Sequence, residues 1–295
     1  GALDALLSLR TIDDVYLDAA TWTGIGHTRD MLAVLQWHAA QLELDAIAGQ
    51  IAAVRPLPPA PVFSITASFV GRRNYTTDEI KKTVAEGIRS LYDWRYTPDD
   101  READLNLRLF IEHELAYVGV RLAKHPLHER AYKAVERPGS LKPTVAAAML
   151  RLAGVEPGAR LLDPCCGSGT IVIEAALLGA AAQGGDIDPE AVEAALANAA
   201  TAGVDVSLAQ RDARALPLPD RSIDCVVTNL PWGRQIAVDD ALAALYADVC
   251  GEIERVIAPG GRVVVLTSAP EYLRFKRLHQ TGAVEISLYG QAPTI

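Results

Sequence analysis

At 295 residues, half of them hydrophobic and 22% charged, the chain has material for one large or two medium globular cores and is not a disordered or fibrous sequence. No apolar run approaches the ~18–20 residues of a membrane span, and no secretory leader is visible. The net charge of −9 excludes a uniformly basic nucleic-acid coat and leaves only local basic clusters to meet a phosphate backbone.

Residues 1–54 read as mostly helical after a short strand near Val15 to Leu17. Thr28 is placed to cap the helix that follows, and Leu44, Ile47, Ile51 and Val54 recur at helical spacing. Pro56, Pro58, Pro59 and Pro61 then make a stiff connector. A strand over 62–70 leads through the polar loop Gly71-Arg72-Arg73-Asn74-Tyr75. Thr77 is expected to cap a helix whose stripe is Ile80, Val84, Ile88 and Leu91. Leu105, Leu107, Leu109 and Ile111 alternate, and Leu115, Tyr117 and Gly119 continue the pattern after Glu112-His113-Glu114, predicting a hairpin. Residues 121–142 carry six Lys/Arg against Glu129 and Glu136.

From Pro143 an alanine-rich helix runs to Gly154. Strand candidates at 160–163, 181–186, 206–211, 224–228 and 262–267 alternate with helices. That alternation predicts an α/β fold with a doubly wound, mostly parallel sheet. Leu242, Leu245, Val249, Ile253 and Val256 line one helix face, and Pro259-Gly260-Gly261 ends that segment. The chain opens on Gly1 without a methionine, as expected of a processed, tagged or partial chain, and closes inside a strand-like Ala292 to Ile295, as expected of a clipped C-terminal end.

The densest signal is Asp163-Pro164-Cys165-Cys166-Gly167-Ser168-Gly169-Thr170. A strand, a glycine turn and a helix start make a nucleotide site in an open sheet. Val172 stands where a pyrophosphate site wants its third glycine, and Asp163 would repel a phosphate. A cation suits the site, and S-adenosylmethionine is one with no phosphate. Asp186, ending the second strand, can accept both ribose hydroxyls. Ile187 can pack on the adenine, while Asp188 and Pro189 begin a helix. Asp212 can accept from the adenine amino group and the Ala213 amide can donate to a ring nitrogen, unless Asp212 is satisfied by its own loop. The fourth strand ends Asn229-Leu230-Pro231-Trp232. The Asn229 side-chain oxygen and the Leu230 carbonyl can accept from a nucleobase amino group. Pro231 fixes the turn, and Trp232 offers a stacking face.

The 163–170 stretch resembles the first motif of class I S-adenosylmethionine-dependent methyltransferases. Asn229 to Trp232 resembles the Asn/Asp-Pro-Pro-Tyr/Phe/Trp motif of amino-group methyltransferases, with Leu230 in place of the first proline. Phe63 to Leu122 is similar to a THUMP RNA-binding domain, and Pro138 to Thr144 resembles the segment that joins THUMP to catalytic domains. Together they resemble TrmN-type tRNA guanine-N2-methyltransferases. That resemblance implies a partial ferredoxin-like region at 1–54, THUMP at 55–124, a basic linker at 125–142 and a Rossmann-like catalytic domain at 143–295. It implies a flipped acceptor-stem guanine, the sixth nucleotide, as target and tRNA as partner. Phosphate contacts are then expected from Arg72, Arg73, Lys124, Arg130, Lys133 and Arg137.

Cys165, Cys166, Cys225 and Cys250 have no zinc spacing, so reduced thiols, no metal and a cytoplasmic location are expected; a monomer is expected as well. The rivals are a THUMP-containing enzyme acting on rRNA or another tRNA position, a non-catalytic RNA-binding subunit, and a DNA or protein amino-group methyltransferase.

Overall fold

A computed structural model describes residues 1–232, 239–288 and 290–295, with side chains from 241 onward in the segment after 238. The chain divides into two units, Gly1–Leu127 and His128–Ile295.

The first unit contains α1 (Ala2–Leu7), β1 (Tyr16–Thr23), α2 (Met31–Ala39), α3 (Asp45–Ala52), β2 (Val62–Phe69), α4 (Thr77–Leu91), β3 (Arg95–Tyr96), β4 (Leu105–Glu112) and β5 (Leu115–Arg121). Its sheet has the order β1-β5-β4-β2-β3. The two sides of the expected boundary at residue 54 share one hydrophobic core. β1 pairs antiparallel with β5, and Trp22, Leu35 and Ile51 pack in one cluster with Phe63, Ile88 and Leu107. The proline connector does not separate them, because Arg55 donates to the Leu122 and Asp104 carbonyls.

Several local expectations shift. The cap of α4 is Thr76, whose hydroxyl accepts from the Glu79 amide while the Glu79 carboxylate accepts from the Thr76 amide. The residue at the N-terminal boundary of α2 is Asp30 rather than Thr28, and its side chain makes no capping bond. Leu91 ends its stripe half exposed. In β5 the buried apolar residues are Ala116, Val118 and Val120, while Tyr117 faces out. The register explains this: Ile111, Leu109 and Leu107 lie opposite Ala116, Val118 and Val120, and opposed residues share a face.

The second unit contains α5 (Pro143–Leu152), β6 (Arg160–Asp163), α6 (Thr170–Leu177), β7 (Ala181–Asp186), α7 (Pro189–Ala202), β8 (Ser207–Gln210), β9 (Ile223–Asn229), α8 (Asp239–Val256) and β10 (Ile257–Leu266). All five strands are parallel, in the order β10-β9-β6-β7-β8. Both faces are covered, so the strands alternate between two apolar clusters. Leu161, Cys225 and Val227 face α5 and α6. Leu162, Val226 and Val265 face α8, with Leu242, Tyr246, Val249, Ile253 and Val256. The Pro259-Gly260-Gly261 turn lies within β10 as an irregularity between Ile257 and Arg262. Thr294 bridges to Thr267 and Glu285 near the chain end. Among the described residues no helix is long and apolar enough to cross a membrane.

Candidate active site

The chain order reverses at β6: β7 and β8 extend the sheet on one side, β9 and β10 on the other. Such a switch point opens a crevice at the carboxyl ends of its strands. Asp163, Asp186 and Asn229 end β6, β7 and β9, and Asp212 follows β8. The parallel sheet therefore gathers residues up to 66 positions apart along one edge.

Asp163 is 1% exposed and accepts from the Cys165 amide at 3.2 Å. Burial pushes its carboxyl up to about 7, with the nearby Asp186 charge adding to the rise. The Thr228 hydroxyl counters part of it, although that hydroxyl reaches no hydrogen-bond partner at normal geometry. The turn that follows is held by two backbone bonds, Cys166 N–H to Gly185 O and Gly169 N–H to Cys166 O, both 2.8 Å. Gly169 has φ +84°, and a Cβ there would lie 2.9 Å from that of Ala195. It is required by helix packing. Gly167 has φ +52° with open space where a Cβ would stand. That gap is where a ligand can approach the main chain.

Asp186 braces the same turn. Its Oδ2 accepts from the Gly167 amide at 2.9 Å and its Oδ1 from the Asp188 amide at 3.0 Å. Each carboxylate oxygen keeps further acceptor capacity for a pair of hydroxyls. Ile187 is 61% exposed beside it, an apolar wall with no protein covering it. Asp188 caps α7 through the Glu190 amide, as expected. Pro164, Ser168 and Thr170 are buried, and the Ser168 hydroxyl meets that of Ser140 at 2.9 Å. They shape the turn, whereas Cys165 and Gly167 line its open side. Burial pushes the Cys165 and Cys166 thiols far up, so neither is a thiolate.

Asp212 is engaged by its own loop. It accepts from the Arg214 amide and guanidinium, the nearest donor at 2.7 Å, and that pairing holds its carboxyl below the usual range. Ala213 is buried against Leu216 and Leu230.

At the end of β9 the Asn229 side-chain oxygen accepts from the Trp232 indole at 3.1 Å. Leu230 is 1% exposed, and its amide donates to the Leu266 carbonyl at 3.0 Å. A proline at that position would have no such donor. Pro231 and Trp232 are half-buried. Tyr246, which the helical spacing does not single out from its apolar neighbours, donates to the Pro231 carbonyl at 2.9 Å.

The expected basic linker is not a free segment. Tyr132 is buried and donates to Glu174 in α6 at 2.8 Å; Arg130 donates to the same carboxylate at 3.1 Å. Lys133 donates to the Leu141 carbonyl and pairs with Glu136. The side chains of Arg130 and Lys133 are only 11% and 10% exposed. Arg137 meets Asp188 and Glu190. Asn198, 1% exposed in α7, donates to the Ser168 and Val135 carbonyls and accepts from the Val135 amide. It ties residues 128–142 to the glycine turn. A lone asparagine in an alanine-rich helix was the available signal. In the first unit Arg73 is likewise committed, donating to the Ile25, Gly26 and His113 carbonyls, while Arg72 and Lys124 are exposed.

A family model described as the RMKL-like methyltransferase domain matches residues 130–286. The tRNA (guanine(6)-N2)-methyltransferase of Thermus thermophilus is 35% identical over 222 residues, 74% of this chain and 65% of that relative's length. The crystal structure of TrmN from Thermus thermophilus superposes with a TM-score of 0.73 at 30% identity, covering 98% of this chain and 83% of that one. SMU.472, solved in complex with SAH, gives 0.76 at 18% identity over 99% of this chain and 85% of its own, a likeness of fold. The matched model spans more than half of the chain and begins at Arg130, within the expected basic linker 125–142 and within the second compact unit. The chain belongs to the RMKL-like methyltransferase domain family.

Proposed function

We propose that the chain is an S-adenosylmethionine-dependent tRNA (guanine-N2)-methyltransferase acting on the acceptor stem, at the sixth nucleotide as the name of the Thermus relative specifies. The observation that carries the reading is the amide-and-indole corner at Asn229 and Trp232. It ends β9 beside the open glycine turn that ends β6, across the switch point.

The residues fit this cofactor. Gly167 leaves room against the main chain, Asp186 offers a carboxylate for the ribose, Ile187 an apolar wall and Asp163 a buried carboxyl for a cationic group. Bound there, S-adenosylmethionine supplies an electrophilic methyl group, and its transfer leaves a neutral thioether. The chemical difficulty lies with the acceptor, because the guanine amino lone pair is delocalised into the ring. Asn229 Oδ1 and the Leu230 carbonyl accept from that NH2 and return density to the nitrogen. Trp232 stacks on the base, which is drawn out of the helix to reach the site. An amide is too weak a base to take the proton, which passes to water after the new N–C bond has formed. Fixing the nitrogen in line supplies most of the rate.

In this reading Gly1–Leu127 is the THUMP-like RNA-binding unit, with Arg72 and Lys124 meeting phosphates. The enzyme is a cytoplasmic monomer with its four cysteines reduced. The test is incubation with labelled cofactor and unmodified total tRNA and rRNA, followed by nucleoside mass spectrometry. N2-methylguanosine in tRNA is expected. Label in rRNA alone, or in no RNA, would overturn the proposal.

A further inference from the structure

A buried hydrogen-bond relay ends on the turn that carries the two acceptors. The Ala269 amide donates to Thr267 Oγ1 at 3.0 Å, Thr267 Oγ1 and Tyr246 Oη lie 2.8 Å apart, and Tyr246 Oη lies 2.9 Å from the Pro231 carbonyl. The carbonyl has no proton and the phenol has one, so Tyr246 donates to Pro231 and Thr267 donates to Tyr246. The direction is therefore fixed. Tyr246 and Thr267 are 0% and 1% exposed, and Tyr272 packs edge-on against the Tyr246 ring at 6.4 Å. Burial pushes the Tyr246 hydroxyl above the usual tyrosine value, so it stays a donor.

The backbone on the other side of Leu230 is pinned too, by its amide bond to Leu266. The Leu230–Pro231 peptide, which carries the acceptor carbonyl, thus lies between two anchored peptides, and the proline ring locks φ of residue 231, one of the torsions between them. We propose that Tyr246 is a positioning residue for methyl transfer, holding the Pro231 carbonyl so that the Leu230 carbonyl and the Asn229 amide face the target amino group together. It supplies the rigidity that the sequence lacks at Leu230. The role rests on the functional reading above, but the hydrogen bond itself does not.

The experiment compares Y246F, T267V and T267S in the full chain. Y246F keeps the ring and its packing. It is expected to lower kcat about tenfold, the loss of one neutral hydrogen bond at the transition state, with cofactor Kd and KM for tRNA within twofold of wild type. T267V should lower kcat less, and T267S, which keeps the hydroxyl, should recover it. The carbonyl 13C resonance of Pro231 should shift in Y246F whether or not any RNA is methylated. An unshifted resonance, or an active wild type matched by Y246F in kcat, would overturn the positioning role. A wild type inactive on every RNA, with the resonance still responding, would overturn the functional reading and the catalytic role with it, leaving the hydrogen bond in place.

Discussion

Trp232 Nε1 donates to Asn229 Oδ1 at 3.1 Å, so the indole proposed to stack on the base also orients the amide proposed to accept from it. The bond decides which end of the amide is oxygen, and a carbonyl oxygen with two lone pairs can accept from indole and nucleobase together. N229A is expected to lower kcat about 100-fold or more while leaving cofactor affinity unchanged by calorimetry. W232F keeps a stacking face but loses the donor, so kcat should fall several-fold with little change in KM. W232A should also raise KM for RNA, since base–aromatic stacking contributes about 1–3 kcal/mol. A W232F enzyme with full kcat would show that the indole bond does not orient the amide.

Asp186 braces Gly167, and in the proposed reading it also accepts from the ribose. D186A should weaken cofactor binding about ten- to hundredfold, the scale of lost hydrogen bonds to a charged group. D186N keeps one oxygen to accept from Gly167 and should lose less. Equal affinities for wild type and D186A would move the ribose contact elsewhere.

The buried Asp163 makes a prediction about pH. Its carboxyl is raised from 3.8 to about 7, so between those values the folded state holds a proton that the unfolded state has released. Stability from this group is therefore present at low pH and lost as pH rises toward 7. D163N imitates the protonated form, and its amide can donate to the Thr228 hydroxyl that has no hydrogen-bond partner. In denaturant unfolding without cofactor, D163N should match wild type near pH 4. At pH 8 it should exceed wild type by roughly 2–4 kcal/mol. The same variant should bind a cationic cofactor less tightly at pH 8. A stability difference independent of pH would place the titration elsewhere.

The basic residues separate into two kinds with opposite outcomes. R130A removes one partner of Glu174, a carboxylate 1% exposed, and should cost about 3 kcal/mol of stability, read as a lower Tm. R72E and K124E, at exposed positions, should leave Tm unchanged, weaken tRNA binding and reduce the salt dependence by about one counterion per lost contact. Unaltered RNA affinity in the double variant would make both of them ordinary solvated charges.

Local chemistry alone made the catalytic half of the chain legible. Alternating strands and helices predict the parallel sheet, and the glycine turn at 163–170 and the Asn229 to Trp232 turn are both visible at the ends of its strands, because each element or turn is marked by residues close together in the chain. Pairing across long separations was decided only by folding. β1 joins β5 about 100 residues away and erases the boundary at 54. A two-residue hairpin turn fixes the parity that puts Val118 inside and Tyr117 outside. Positive charge in a sequence does not say which way it points: Arg130, Lys133 and Arg73 turn inward to a buried glutamate and to partly buried carbonyls that take their donors. Tyr246 lies outside the apolar face read from the helical spacing, and only the approach of α8 to the end of β9 gives its hydroxyl the Pro231 carbonyl to hold.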